Sequence, residues 1–230
     1  ATYSFSQMRS YETCPYQYKL GTILHIPAPT THHLSYGNTI HNTLHQFYVQ
    51  VQQLNQAQQD SLFDLPVQTK ITGAVKVPSL QTLLELYEAC WQPDGYPSKQ
   101  EKNAYFAKGK EELKTFYEAN DGQWTVPTAL EKGFKIKVGE YIISGRIDRV
   151  DSLPDNSLHI IDYKTGKPKD KLTKEDKEQL LLYHLVAQKL PEYRNLGPVG
   201  KLSFHYLTNN QSVDFVAEPD DVTEWYSKMI

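Results

Sequence analysis

Two strand-like runs joined by a turn constrain the fold of this chain more than any other feature. The first covers residues 141–151 and the second covers 158–166, and both are rich in β-branched and aromatic residues. Between them lies the segment Pro154-Asp155-Asn156-Ser157, whose residues strongly favour turns. We therefore expect an antiparallel hairpin here, with the second run as a buried, central strand of a sheet.

This hairpin is expected to gather charged side chains at one end. Because side chains alternate between the faces of a strand, Asp162 and Lys164 project from one face and Tyr163 from the other. Antiparallel pairing would bring Asp148, near the end of the first run, within several ångströms of Asp162. Two carboxylates beside a lysine are typical of a site for a hard cation. We interpret this end of the hairpin as the functional site.

Three further candidates lie on neighbouring elements. An amphipathic helix carrying His41 is predicted because four apolar residues recur at helical spacing. Those residues are Ile40, Leu44, Phe47 and Val51. A second helix, predicted from Glu175 to Leu190, carries Gln179 and Tyr183 on one face, since they are four positions apart. Glu131 lies on a strand that precedes the hairpin.

Length and composition favour one globular domain spanning residues 1–230. Of its 230 residues, 39% are hydrophobic and 22% are charged, which suits a chain that buries a single core. Residues 52–123 combine Gln-rich sequence with helical patterns, so we expect a helical insertion or subdomain there. No apolar run approaches the roughly 20 residues that span a bilayer, and no signal peptide is evident. We expect no membrane partner and an intracellular location.

Several function classes can be set aside. His41 and His45 have the spacing of zinc-protease ligands, but Asn42 stands where that motif needs a glutamate. No Gly-rich phosphate loop of the Walker type is present, so the chain by itself is not an ATP-driven motor. The net charge of −3 argues mildly against indiscriminate DNA binding. The lysine-rich segment 164–177 is a local exception, although charge alone favours interpreting it as a solvated basic loop.

The order of these motifs resembles the PD-(D/E)XK nucleases, specifically the RecB-like branch found at the end of UvrD/RecB/AddAB-type helicase-nucleases. The matching segments are Phe5–Pro15, Gly37–His41, Gly145–Asp151, Ile161–Gly166 and Gln179–Tyr183. Each segment is weak evidence alone, but five in the family's order cover nearly the whole chain. The resemblance implies an α/β, restriction-endonuclease-like core, with a mixed central sheet flanked by helices.

The resemblance also implies a role for each matching residue. Asp148 and Asp162 are expected to hold Mg²⁺ or Mn²⁺, with His41 and the backbone carbonyl of Tyr163 as further ligands. Lys164 is expected to position or deprotonate the attacking water and to offset charge on the scissile phosphate. A simpler alternative for Asp148 is an ordinary salt bridge to a neighbouring arginine.

The remaining candidates have supporting roles by the same resemblance. Gln179 and Tyr183 are grouped with the catalytic residues, because they would hold the DNA strand or brace the site. Glu131 is expected to be an auxiliary acid and not a ligand. DNA contacts are expected from Arg146, Arg149 and Lys167. For Arg149 a structural role stays equally open, and Tyr183 on a leucine-rich helix is also compatible with packing.

The implied activity is metal-dependent hydrolysis of DNA, with single-stranded ends as substrate for an exonuclease of recombination or repair. The implied partners are helicase domains of the same or another chain, and the implied setting is the prokaryotic cytoplasm. Cys14 matches the first cysteine of an iron–sulfur cluster in some relatives, but Cys90 does not match another, so no cluster is expected in this chain. Two alternatives remain: a non-catalytic module that guides DNA or docks a partner subunit, and a hydrolase with another substrate.

Overall fold

A mixed six-stranded sheet organises the protein in a computed structural model that describes residues 1–56 and 74–229. Its strands are β1 (Thr2–Ser4), β2 (Ala129–Val138), β3 (Tyr141–Ser152), β4 (Leu158–Lys164), β5 (Val199–Tyr206) and β6 (Gln211–Phe215). The described α-helices are α1 (Phe5–Thr13), α2 (Pro15–Tyr18), α3 (His32–Gln56), α4 (Leu80–Cys90), α5 (Lys99–Ala119), α6 (Lys174–Lys189), α7 (Pro191–Arg194) and α8 (Pro219–Met229), and a short π-helix covers Lys19–Ile23. The predicted α/β fold, a mixed sheet flanked by helices, is confirmed.

Strand β3 is the centre of this sheet and has different neighbours along its two edges. Strand β2 pairs antiparallel with it over residues 141–150. Strand β1 pairs in parallel with residues 142–144, and β4 pairs antiparallel with residues 149–152. Because β2 occupies one edge throughout, β1 and β4 must share the other edge. Among the described residues, no strand therefore lies beside residues 145–148 on that edge, which leaves an opening in the sheet.

The predicted hairpin of β3 and β4 is confirmed, with Val150 opposite Ile160. Its turn uses the predicted residues. Asp155 Oδ1 accepts hydrogen bonds from the backbone N–H and the hydroxyl of Ser157, at 2.9 and 2.6 Å. Asn156 adopts a left-handed backbone with φ of 64°, a conformation that asparagine tolerates better than most residues. The turn chemistry thus explains where the two strands reverse direction.

Two hydrophobic clusters cover the two faces of the sheet. The first joins α6 to the sheet, and its fully buried members include Ile160, Leu180, Leu182, Val186 and Phe204. The second joins α3, α4 and α5 to the other face and includes Ile40, Phe47, Leu83, Leu113 and Tyr163. Since neighbouring residues of β4 point to opposite faces, this strand contributes side chains to both clusters.

Local capping residues determine where helices α6 and α1 begin. Helix α6 begins at the cap residue Thr173, whose hydroxyl accepts from the Asp176 amide while Asp176 accepts from the Thr173 amide. This reciprocal arrangement satisfies N–H groups that lack partners in the first turn. Ser4 and Gln7 form the same arrangement at the start of α1. None of the described helices is long and apolar enough to cross a membrane.

The helical insertion predicted for residues 52–123 is only partly described. Helices α4 and α5 lie within it, and α3 extends into its first residues as far as Gln56. Residues 57–73, which hold much of the Gln-rich sequence, are outside the described residues. The division of the chain into a core and an insertion therefore stays a prediction.

Candidate active site

An irregularity in the β2–β3 ladder marks the candidate site. Glu131 and Asp148 face each other there, yet they do not pair, although the residues on either side of them do. Glu131 has a φ of 45°, a left-handed conformation that is unfavourable for a side chain with a Cβ atom. The alternation of β2 side chains between the two faces of the sheet shifts at this point. As a result, Phe134 packs in the α6 cluster, whereas Leu130 packs in the other cluster.

Three potential ligands converge at this irregularity. Donor atoms of His41, Glu131 and Asp148 all lie within 4.8 Å of one another. Helix α3 supplies His41, whose Nδ1 is 3.2 Å from Asp148 Oδ2. The same Oδ2 accepts a hydrogen bond of 2.9 Å from the backbone N–H of Tyr163. Asp148 thus joins helix α3 to strand β4 across the opening in the sheet.

Asp162 is the centre of a second group of polar side chains. Its Oδ2 is 2.7 Å from Lys164 Nζ, and its Oδ1 accepts hydrogen bonds from Gln179 Nε2 and the Tyr183 hydroxyl, at 3.1 and 2.9 Å. Lys164 also donates to Gln179 Oε1 at 3.2 Å. One turn of α6 therefore fixes the positions of the Asp162 carboxylate and the Lys164 ammonium of β4. The carboxylate is buried, whereas the lysine side chain keeps 29% of its surface exposed.

The electrostatics of both groups favour a cation. Burial raises the pKa of Asp162, and repulsion from Asp148 adds to it, against the opposing effect of Lys164. Burial and repulsion from Asp148 also raise the pKa of Glu131, against the effect of Arg146. Burial lowers the pKa of His41, but the hydrogen bond and charge of Asp148 and the nearby acids outweigh it and raise that pKa to about 9. Burial is the largest cause of the shifts at Asp162 and Glu131, but the negative charge of Asp148 contributes to all three shifts, and a bound cation would neutralise it.

Comparison with known proteins decides the family. The profile of the PD-(D/E)XK nuclease superfamily matches residues 2–229. The chain belongs to this superfamily. Members of the PD-(D/E)XK superfamily are usually metal-dependent nucleases. No curated protein matches the chain significantly.

Two solved structures are distantly similar. The structure titled "Crystal structure of SSO0001" is 14% identical, with 97% of this chain and 81% of that chain covered and a TM-score of 0.34. Protein VC1899 from Vibrio cholerae is 13% identical, with 85% of this chain and 53% of that chain covered and a TM-score of 0.22. The present chain therefore corresponds to about half of VC1899. Neither similarity is close enough to support an argument about substrate.

The residues of this PD-(D/E)XK site fit a hard divalent cation. The cluster of His41, Glu131 and Asp148 supplies two carboxylates and an imidazole, donors that Mg²⁺ and especially Mn²⁺ accept. Asp162 Oδ2 is buried and accepts no hydrogen bond from the described residues, although Lys164 forms an ion pair with it. A buried carboxylate oxygen without a hydrogen bond is costly unless another positive group approaches it. The site thus has both the donors and the charge for a metal.

In the structure, the predicted site residues form two groups whose membership differs from the expected one. Glu131, expected to be auxiliary, lies in the three-residue cluster, whereas Asp162 lies with Lys164 outside it. Gln179 and Tyr183 both donate hydrogen bonds to Asp162, so hydrophobic packing alone does not explain the position of the Tyr183 hydroxyl. The backbone N–H of Tyr163 donates a hydrogen bond to Asp148, and a ligand role for the Tyr163 carbonyl stays a prediction.

The DNA contact expected for Arg149 needs correction. Its side chain is buried and only 6% exposed. Two of its nitrogens donate to the Asp151 carboxylate at 2.7 and 2.6 Å, and a third donates to the Tyr163 hydroxyl at 3.2 Å. A guanidinium with these partners is not available to a phosphate, so Arg149 has an internal role. In contrast, 64% of the Arg146 side chain is exposed, and Lys167 is also exposed.

Proposed function

We propose that this chain is a metal-dependent deoxyribonuclease of the RecB-like branch, acting as an exonuclease on single-stranded DNA ends. The observation that carries the proposal is the meeting of two groups in the opening of the sheet. One is the acidic cluster around Asp148, and the other is the Asp162–Lys164 pair at 2.7 Å. Acids that favour a cation, beside a half-exposed ammonium, suit hydrolysis of a phosphodiester.

Each side chain has a distinct task in this proposal. His41, Glu131 and Asp148 would hold Mg²⁺ or Mn²⁺, with Asp162 Oδ2 as a further donor. The metal would supply charge stabilisation to the scissile phosphate and activate water. Lys164 would offset negative charge on the phosphate, because Asp162 and Gln179 hold its half-exposed ammonium in place.

Exposed cations close in sequence to the site residues support binding to the sugar-phosphate backbone. Lys167 lies three residues after the end of the Lys164-containing strand, and it has no hydrogen bond or ion pair with the described residues. Lys169, by comparison, is paired with Asp176 at 2.7 Å. Arg146 has most of its side chain in solvent, even though it contacts Glu131. These two cations, Lys167 and Arg146, would contact phosphates and position a strand without reading its sequence.

We further propose that the chain functions with helicase domains in recombination or repair, in the cytoplasm of a prokaryote. The order of the five motifs supports this. The net charge of −3 fits a nuclease that receives its strand from a motor and does not capture DNA by charge alone. Preference for single-stranded ends follows from the same reasoning, because a translocating helicase delivers separated strands.

The test is cleavage of end-labelled linear and circular single-stranded DNA, and of duplex DNA, with Mg²⁺, Mn²⁺ or EDTA. We expect metal-dependent loss of linear single strands, with circles intact and no cleavage in EDTA. Lys164→Ala should reduce the cleavage rate by about 100-fold or more, since it removes a charge that acts on the reacting phosphate. Lys171→Ala is the matched control, because Lys171 is an exposed lysine of the following loop, and it should retain nearly full activity.

Other outcomes would contradict parts of this proposal. Cleavage that survives Lys164→Ala would show that the activity comes from another centre. Cleavage of circular strands would make the protein an endonuclease. Mn²⁺ binding without cleavage of any substrate would favour a module that guides DNA or docks a partner subunit.

A further inference from the structure

The residues that follow the two candidate acids contact each other on the face of the sheet opposite to the Asp162 carboxylate. Arg149 follows Asp148 in β3, and Tyr163 follows Asp162 in β4. The Arg149 guanidinium donates a hydrogen bond to the Tyr163 hydroxyl at 3.2 Å. Tyr163 packs in the α3–α5 cluster, on the face of the sheet opposite to the Asp162 carboxylate. The contact therefore connects the two strands from the side that faces away from Lys164.

Arg149 is held rigidly enough to serve as an anchor. Two parallel hydrogen bonds tie it to Asp151, and a further one goes to the Thr125 hydroxyl. The guanidinium carbon also lies 4.0 Å from the centre of the Tyr48 ring, a favourable arrangement for a cation over an aromatic face. Because a guanidinium is planar and its hydrogen bonds to Asp151 and Tyr163 are buried, the position of Arg149 has little freedom.

The backbone ladder alone does not set the spacing of the two acids. Pairing between β3 and β4 ends at Arg149 and Ile161. Asp148 and Asp162 are the next residues outward, where the strands separate around the opening in the sheet. Beyond the ladder, the bond from the Tyr163 N–H to Asp148 Oδ2 joins the strands on the side of the site, at 2.9 Å. The Arg149–Tyr163 contact joins them on the opposite side.

We propose that Arg149 and Tyr163 are positioning residues that form a clamp between β3 and β4 and set the separation of Asp148 from Asp162. The clamp holds the Tyr163 backbone so that its N–H stays on Asp148 and the Asp162 carboxylate faces the cluster. Its effect on metal binding rests on the proposed function, whereas its effect on the Tyr163 amide does not. Loss of the Tyr163 hydroxyl would free the strand end without removing any ligand.

The test compares Tyr163→Phe with Tyr117→Phe. The control also removes one tyrosine hydroxyl, which bonds to the Pro78 carbonyl at 2.9 Å in the helical region. Without metal, hydrogen exchange at the amide of residue 163 is measured relative to that of Ile160 in the same strand. We expect Tyr163→Phe to speed exchange at residue 163 by about tenfold relative to Ile160, and the control to leave this ratio unchanged.

Calorimetric titration with Mn²⁺ supplies the second readout. Tyr163→Phe should bind Mn²⁺ about three- to tenfold more weakly than the wild type, within the range of supporting contacts around metal ligands, and Tyr117→Phe should bind it normally. Arg149→Lys, which keeps the charge beside Asp151 but loses the planar fork, should show the same two changes.

The results separate the clamp from the proposed function. An unchanged exchange ratio at residue 163 in Tyr163→Phe would overturn the clamp, as would an equal change in the control. A changed ratio, together with a wild type that binds no Mn²⁺, would support the clamp and overturn the metal-dependent function. A uniform acceleration at residues 160 and 163 would mean general destabilisation and would also overturn the clamp.

Discussion

Glu131 illustrates how one backbone conformation can place a potential ligand. Its left-handed φ of 45° interrupts an otherwise regular strand and coincides with the change of faces in β2. The same position brings its carboxylate into the cluster with His41 and Asp148. Strained conformations persist only where the surrounding structure enforces them, and they concentrate at functional sites. We interpret the strain at Glu131 as a consequence of placing its carboxylate in the cluster.

This interpretation predicts that glycine and alanine at position 131 differ in stability but not in metal binding. Glycine adopts a left-handed conformation without a steric penalty, so Glu131→Gly should be more stable than Glu131→Ala by about 1 kcal/mol. Both variants lose the carboxylate and should bind Mn²⁺ equally weakly. Urea unfolding and Mn²⁺ titration of the two variants check this. An alanine variant as stable as the glycine variant would show that the backbone is not strained there.

For single residues, the sequence predicted which residues belong to the site better than it predicted what those residues contact. Asp148, Asp162 and Lys164 stand in local motifs, and alternation along a strand was enough to place the last two together. The burial of Arg149 was not predictable in this way, because it depends on Tyr48 and Thr125, which are far away in the chain and belong to no motif. The left-handed backbone of Glu131 likewise has no local signal, since glutamate rarely adopts it.

At the scale of elements, β4 and β5 carry two histidines on the face opposite to Asp162. Burial lowers the pKa of His159 to about 4, and the charge of Lys201 adds to this effect. Burial likewise lowers the pKa of His205 to about 4, although a hydrogen bond to Asn210 opposes it. His159 and His205 each contact a serine hydroxyl, Ser203 at 2.7 Å and Ser212 at 2.9 Å. The folded sheet thus favours the neutral form of both rings.

These two histidines should make the fold sensitive to acid. An unfolded histidine titrates near pH 6.5, so between about pH 6.5 and 4 the unfolded chain binds more protons than the folded one. Their contribution to the free energy of unfolding is therefore present above pH 6.5 and decreases as the pH falls toward 4. Urea unfolding at several pH values should show a shallower decline for His205→Gln than for the wild type. His33→Gln, at an exposed position, should keep the wild-type slope, and equal slopes in all three proteins would contradict the assignment.

Elements with strong local signals were predicted well. The β3–β4 hairpin has turn residues between two β-rich runs, and α6 begins at a capping motif, so both follow from short segments. The division of one β3 edge between β1 and β4 was not predicted. Pairing between β1 and β3 joins residues 140 positions apart, such as Thr2 and Ile142, and no local pattern indicates such a contact.

At the scale of the whole molecule, the site lies where the two hydrophobic clusters meet. Helix α3 brings His41 from the cluster on one face, and α6 brings Gln179 and Tyr183 from the cluster on the other. The opening in the sheet between β1 and β4 lets side chains from both layers meet around Asp148. The order of motifs indicated these parts through the family resemblance, but only the packing of both layers shows how the acids divide into two groups.

The metal centre is tested most directly by the anomalous scattering of Mn²⁺ in crystals grown with this ion. We expect a strong peak between the side chains of His41, Glu131 and Asp148. The peak should disappear in Asp148→Asn crystals grown in the same way, because that substitution removes one of the two carboxylates of the cluster. A wild-type peak elsewhere, or no peak at saturating Mn²⁺, would contradict the assignment of this cluster as the metal centre.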